Sequence, residues 1–252
     1  MNRKTGILLG LIAVAAGCAW AVHDFLDFRD RSVPIFAYHR VEDKSDLYSM
    51  PTDEFRTQME YLKENGYKTI KLGDYASRRK AGDSFHKEYG YIGNMFMAGM
   101  YEGWPGYLTW DEEVKLAQYG WELGSHTYIH KPLPLLSRQE RKADLKKSHD
   151  HMLGLYYSPN GVTLSYPNGA YNKEVVEDVK EAGYAAGVTG LIGTNTEQDG
   201  LLTLRRVNVF HHKAKNLEHF KRALYKAQLI SWVNEKTGYD LNRFLLWYYH
   251  KK

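Results

Sequence analysis

The sequence predicts an α/β fold with a mainly parallel sheet, arranged as a (β/α) barrel or as a doubly wound sheet. Three observations support this prediction: short apolar runs alternate with amphipathic stretches, the turns between them are short, and no internal repeat or low-complexity linker interrupts the alternation. The chain has 252 residues, 43% hydrophobic and 25% charged, which suits one sizeable domain preceded by a leader.

The beginning of the chain differs in character from the rest. Two basic residues precede an apolar run over 6–22, which is typical of an export signal or a membrane anchor. Retention as an anchor, cleavage after the small-x-small motif that ends at Ala21 and lipidation at Cys18 all remain open, and a buried N-terminal helix is a further alternative. We expect residues 1–22 to be a signal peptide or membrane anchor, and the protein to be extracytoplasmic, either membrane-anchored or secreted.

Composition argues against two classes of function. Cys18 is the only cysteine, so the domain after the leader has neither an intramolecular disulfide nor a thiol nucleophile. The net charge is +4, but the basic residues are spread along the chain without a block of five or six, and this argues against nucleic acid as a partner.

The main domain is predicted over 33–228, and its first half contains three apolar runs and two amphipathic ones. A helix is predicted from 51 to 65 because Phe55, Met59 and Leu62 recur at helical spacing. Another is predicted over 109–118, where three acidic residues occupy the first turn favoured by the helix dipole. The apolar runs predict strands at 33–39, 67–72 and 91–97.

The second half continues the alternation. The predicted strands are at 121–126, 161–166, 184–189 and 204–210, and the predicted helices are at 137–156, 172–182 and 217–227. Gly183 is expected to stop the helix over 172–182. A C-terminal helical extension is placed at 229–252, with the aromatic region 244–249 packed on the sheet.

Candidate metal ligands follow the predicted strand at 121–126. His126 and His130 are four residues apart, and on a helical turn this spacing would place both imidazoles on one face, able to hold a divalent ion. Two histidines alone are more typical of a surface or capping pair, because a catalytic metal usually has a third protein ligand. His39, at the end of the first strand, either faces the cleft or is a hydrogen-bonded core histidine.

Two motifs carry a family resemblance. Residues 124–133 read Gly-Ser-His-Thr-x-x-His-x-Pro-Leu, and residues 165–172 read Ser-Tyr-Pro-Asn-Gly-Ala-Tyr-Asn. They resemble the metal-histidine and substrate-groove motifs of the polysaccharide deacetylases, which form carbohydrate esterase family 4 and share the NodB homology domain. Further segments are similar to the branch that acts on poly-N-acetylglucosamine, so the resemblance spans roughly residues 33 to 210; these segments are 34–41, 55–62, 108–111 and 204–207.

The resemblance implies a distorted (β/α) barrel and metal-dependent removal of N-acetyl groups from an N-acetylglucosamine-containing polysaccharide. It implies that His126 and His130 bind a divalent metal, most often zinc, and that a late histidine protonates the leaving amine. His211 and His212 follow the matching strand, although neither is at a clear motif position. The substrate-groove residues implied are Tyr166, Pro167, Asn168, Gly169 and Tyr171, with the Asn168 backbone N–H expected to help hold the oxyanion.

The chain departs from the family at its Thr-Phe-Asp-Asp-Gly strand, which supplies the third metal ligand and the general base. No Asp-Asp pair occurs anywhere in the sequence, and the family pattern breaks near Ser84 and Phe85. We therefore expect that one βα unit, on the order of 30 residues, is missing from the barrel. Asp83 and His86 are the candidates for a replacement ligand. Without one, the histidine pair is expected to bind zinc with micromolar affinity at best, on the order of 10⁻⁶ M.

These observations predict a deacetylase-like protein whose hydrolytic activity is impaired by the loss of both aspartates. The alternative is a non-catalytic glycan-binding protein that retained the groove. A third reading is a truncated gene product that folds poorly.

Overall fold

The computed structural model describes residues 3–44, 46–81, 93–155, 158, 160–211 and 216–242. Within these residues, six parallel strands form one curled sheet of half-barrel shape, with helices packed against it. The predicted fold class, a distorted (β/α) barrel, is thereby confirmed.

Strands are numbered in chain order. The main sheet contains β1 (Phe36–Ala37), β4 (Asn94–Met97), β5 (Glu122–Ser125), β6 (Thr163–Ser165), β7 (Ala186–Ile192) and β8 (Leu204–Asn208). Their spatial order is β1-β8-β7-β6-β5-β4. Two further strands, β2 (Arg40–Val41) and β3 (Ser49–Met50), pair with each other in parallel outside this sheet.

In the described part of the chain, the main sheet is open between β1 and β4. Consecutive strands of a closed (β/α) barrel pair with each other, whereas β1 and β4 follow one another in this sheet and form its two free edges among the described residues. The opening therefore lies at the place in the chain order where the missing βα unit is expected.

Seven α-helices complete the described structure. They are α1 (Arg3–Arg31), α2 (Thr52–Glu64), α3 (Leu72–Ala81), α4 (Trp110–Gln118), α5 (Arg138–Leu155), α6 (Lys173–Glu181) and α7 (Asn216–Thr237). Side-chain hydrogen bonds explain where two of these helices, α4 and α6, begin. Thr109 and Glu112 form a reciprocal capping box at α4, and the side chain of Asn172 accepts a hydrogen bond from the Val175 N–H at α6. The predicted boundary at 228/229 falls inside α7, and the predicted helix near 244–249 lies outside the described residues.

The strand predicted at 67–72 does not form, and this prediction was wrong. Residues 67–71 have no regular structure, and α3 begins at Leu72. The Leu72 N–H donates to the Asn94 side chain at 2.9 Å, and the Gly73 N–H donates to the Glu122 carboxylate at 2.8 Å. Asn94 and Glu122 are the first residues of β4 and β5. They therefore hold residues 67–73 at the amino ends of the strands and not within the sheet.

Hydrophobic residues cover both faces of the sheet. On one face, buried residues of α5 and α6 pack against Leu123 and Leu164. On the other, Leu72, Tyr75 and Ala76 of α3 pack against three buried strand residues, Ala186, Val188 and Leu204. Since α3 is tied to the amino ends of strands, it lies at the opposite end of the sheet from the candidate site residues.

Helix α1 is the one described helix that is long and apolar enough to cross a membrane by length and composition. The span is Leu9–Arg31, with a mean hydropathy of 1.7 in an apolar window that has no buried residue. The last turns of α1 contact α7, where the Phe25 ring packs edge-on against Trp232 with ring centroids 5.6 Å apart. Phe28, in the same turns, is fully buried. The Trp232 indole N–H also donates to Asp24 at 2.7 Å. The helix thus continues past the predicted end of the leader at residue 22 and docks on the domain.

Candidate functional site

The two candidate metal histidines lie on a loop that follows β5. Residues 126–130 are not a helical turn, which corrects the expectation from their spacing, because Thr127 and His130 adopt left-handed backbone conformations with φ of 65° and 54°. The Thr127 hydroxyl accepts a hydrogen bond from the His130 N–H at 3.1 Å, and Asp144 of α5 accepts one from the Ile129 N–H at 2.9 Å. These bonds offset the strain of the left-handed residues. The loop brings the His126 and His130 ring centroids to 4.7 Å.

The hydrogen bonding of His126 determines which of its nitrogens is available. Its Nδ1 lies 2.6 Å from the Ser165 carbonyl oxygen, which can only accept, so we assign the proton to Nδ1. The Nε2 lone pair is then free to bind a ligand, and a carbonyl partner of this kind is typical of metal-binding histidines. Burial lowers the pKa of His126 to about 4, and burial also lowers the pKa of His130. Both imidazoles are therefore neutral near pH 7, as metal binding requires.

His39 and Arg206 belong to the same end of the sheet. His39 follows β1, and its ring stacks on Phe210 with centroids 5.7 Å apart. Burial lowers the pKa of His39, and the nearby Arg206 lowers it further; both residues also act electrostatically on His126. These contacts favour the cleft-facing alternative for His39.

The guanidinium of Arg206 has no acidic partner among the described residues. Its Nε is buried and makes no hydrogen bond, and burial lowers the pKa of this group. Asn208, two positions along β8 and hence on the same face, has a buried side-chain oxygen that is also unpaired. A buried arginine is normally matched by a carboxylate. The site therefore contains histidines and an arginine for which the described part of the chain supplies no carboxylate.

No described carboxylate completes a metal site with the histidine pair. Among the described residues, one group of at least three potential ligands has all its ligand atoms within 4.8 Å of one another, and it does not include His126 or His130. The pair is thus suited to supply two ligands, and the described structure offers no third. Asp83 and His86, the candidate replacements, lie outside the described residues.

The substrate-groove motif is more deeply buried than the sequence suggested. Tyr166 is fully buried and donates a hydrogen bond to the Leu202 carbonyl at 2.9 Å, so its predicted position beside the groove is corrected to the core. Pro167 and Gly169 are also buried; Asn168 is exposed and left-handed, with φ of 55°. Tyr171 is half-buried, with its ring 5.7 Å from that of Tyr166. Asn168 and Tyr171 are the motif side chains that a ligand could reach.

His211 and His212 are the candidates for the histidine that would protonate the leaving amine. His212 lies outside the described residues. His211 is described, and its Nδ1 lies 3.0 Å from the Glu54 carboxylate of α2.

An aromatic cluster borders the histidine loop, and the sequence reasoning missed it. The Tyr101 ring lies 6.1 Å from that of His130, 5.3 Å from Trp104 and 5.0 Å from Tyr107, on which it stacks. Trp104 and Tyr107 are about half exposed, at 53% and 55%. The cluster follows β4, so it stands beside the open edge of the sheet.

Comparison with known proteins places this architecture in a family. Residues 81–187 match the family described as polysaccharide deacetylase. The chain is 29% identical over 203 residues to YxkH of Bacillus subtilis (strain 168), whose name assigns it to the polysaccharide deacetylases; the match covers 70% of this chain and 71% of that protein. Over residues 81–187, the chain is therefore similar to the polysaccharide deacetylases.

Solved structures support the same fold for the deacetylase domain. BC0361, a polysaccharide deacetylase from Bacillus cereus, aligns with a TM-score of 0.64 and 21% identity, covering 76% of this chain and 68% of that one. IcaB from Ammonifex degensii aligns with a TM-score of 0.57 and 20% identity, covering 77% of this chain and 97% of that one. The matched region of the family includes the histidine loop and the groove motif.

Proposed function

We propose that this extracytoplasmic chain binds an N-acetylglucosamine-containing polysaccharide at the carboxyl end of its sheet, and that removal of N-acetyl groups is impaired. One observation carries the proposal: two neutral imidazoles stand together, and the described residues place no carboxylate beside them or beside the Arg206 guanidinium. Hydrolysis in this family requires both a third metal ligand and a base, and the absent Asp-Asp pair would supply them.

The two histidines suit a divalent metal, with zinc the best match for imidazole nitrogen. A bound ion would polarise an acetamide carbonyl oxygen and lower the pKa of a bound water. His126 and His130 would hold it, and the Ser165 carbonyl would keep the His126 ring in place. Two neutral ligands bind weakly, and nothing in the described site removes a proton from the water.

The aromatic cluster at 101–107 and the groove residues Asn168 and Tyr171 would receive the sugar. Exposed tryptophan and tyrosine rings combine an apolar face with a polar tip, which suits the mixed surface of a pyranose ring. Because Tyr101 adjoins His130, a sugar stacked on this cluster would present its acetamide towards the histidine pair.

Replacement of Trp104 tests sugar binding. We expect Trp104→Ala to weaken the binding of an N-acetylglucosamine hexamer about tenfold, equivalent to about 1.4 kcal/mol, because an exposed stacking surface is removed. Isothermal titration calorimetry of the full-length chain in detergent measures this affinity. Tyr119→Ala is the matched control, since Tyr119 is 83% exposed and caps α4. Equal hexamer affinity in the wild type and the Trp104 variant would contradict the proposed groove.

A non-catalytic glycan-binding protein is the second candidate. It shares the sugar-binding surface and differs in having no turnover. It is favoured because a working carboxylate would be expected beside the Arg206 charge, and none of the described residues supplies one.

A further inference from the structure

A second cluster of potential metal ligands lies outside the histidine pair. Glu102 follows the short 3-10 helix Gly99–Tyr101, Glu113 projects from the first turn of α4, and His151 projects from α5. The His151 Nε2 lies 3.1 Å from the Glu102 carboxylate, and one ligand atom from each residue falls within 4.8 Å of the others. Two neighbouring segments and the more distant α5 thus bring two carboxylates and an imidazole together.

Glu113 gives an independent indication that a ligand is missing. Its side chain is 3% exposed, and its Oε2 is buried without a hydrogen-bond partner among the described residues. Burial, assisted by the neighbouring Glu102, raises the pKa of Glu113 to about 7. A buried carboxylate beside another carboxylate is costly unless a cation or a proton compensates it.

We propose that Glu102, Glu113 and His151 form a binding site for a divalent transition-metal ion of the zinc type, separate from the His126–His130 pair. One nitrogen and two carboxylate oxygens form a donor set that zinc accepts, whereas magnesium and calcium select oxygen ligands alone. Ligand atoms around tetrahedral zinc stand about 3.3 Å apart, so the cluster closes by less than about 2 Å on binding.

The position of the cluster indicates what the ion does. The ring of Tyr128, from the histidine loop, lies 6.2 Å from that of His151, and the Met100 N–H donates to the Tyr128 carbonyl at 3.0 Å. An ion held by Glu102, Glu113 and His151 would therefore link α4 to the two segments that contact this loop. It would thereby help to fix the wall of the groove.

Zinc titration of full-length variants in detergent, after removal of metals with EDTA, tests this site. We expect His126→Ala/His130→Ala to retain one zinc per chain, because it leaves the second cluster intact. Adding Glu113→Gln to that variant should abolish the remaining binding. Zinc at a hundredfold excess over its Kd should raise the melting temperature of the histidine-pair variant by about 5 °C or more.

Further variants distinguish a cluster that binds a metal ion from one in which the two carboxylates share a proton. Asp111→Asn, an exposed change in the same first turn of α4, should leave zinc binding unaltered, and His151→Gln should abolish it in the histidine-pair background. Without metal, Glu113→Gln should be at least as stable as the parent, because it removes a buried charge while preserving shape. The site is refuted if the histidine-pair variant binds no zinc, or if Glu113→Gln in that background binds it as tightly as its parent while remaining folded by circular dichroism.

Discussion

Inserting a Thr-Phe-Asp-Asp-Gly strand with its following helix between Ser84 and Phe85 is expected to raise acetate release at least about hundredfold. A positioned general base contributes roughly 10²–10⁴ in rate, and the first aspartate would supply the carboxylate that the histidine pair lacks. The inserted strand would fill the opening between β1 and β4, and its carboxyl end would lie at the end of the sheet that carries His126 and His130. Acetate release from an N-acetylglucosamine oligomer in the presence of zinc measures the gain.

The same insert carrying Asn-Asn instead of Asp-Asp is the control. It preserves the added strand and its hydrogen bonds while removing both carboxylates, so it should restore packing without restoring rate. A folded Asp-Asp insert that releases acetate no faster than the Asn-Asn insert would contradict the view that carboxylates are what this site lacks.

Gly169→Ala is expected to destabilise the domain by about 2–5 kcal/mol, combining the cost of a left-handed non-glycine residue with overpacking. Gly169 has φ of +66°, and a β-carbon there would overlap the backbone of Gly190 in β7. The groove motif can therefore approach β7 only with glycine at this position. Urea unfolding followed by circular dichroism measures the loss.

Gly238→Ala separates the cost of the left-handed backbone from the cost of overpacking. Gly238 has φ of +68°, but a β-carbon there would meet nothing within 4 Å, so only the backbone cost of about 1–2 kcal/mol applies. Equal losses of stability in the two variants would mean that the close approach of Gly169 to Gly190 does not constrain the groove.

The alternation of apolar and amphipathic runs was enough to predict the α/β fold and most of its elements. It failed at 67–72, where an apolar run reads as a strand. Periodicity reports which side chains are apolar, whereas the Asn94 and Glu122 side chains that hold this segment come from distant strands. The length of α7 was underestimated for a related reason, because Phe25 of α1 packs against Tyr225 and Trp232 of α7 from the other end of the chain.

The candidate site was predicted in part. The histidine motif pointed to two residues that the fold does bring together, but spacing alone implied a helical turn instead of the left-handed loop held by Asp144. Tyr166 was misplaced because an aromatic residue in a motif gives no sign of its burial. Arg206 was visible within the Leu-Arg-Arg-Val segment, yet the absence of a carboxylate beside it among the described residues is a three-dimensional property. The Glu113 cluster depends on His151 from the distant α5 and carries no local signal.

Acetate release by the unmodified chain tests the central claim most directly. The assay uses an N-acetylglucosamine oligomer with added zinc or cobalt, and compares the wild type with His126→Ala and with a no-protein blank. We expect the wild type to release acetate at a rate close to both references, because the described residues place neither a carboxylate ligand nor a general base beside the histidine pair. Robust metal-dependent release by the wild type that is lost in His126→Ala would contradict this account and establish the chain as an active deacetylase.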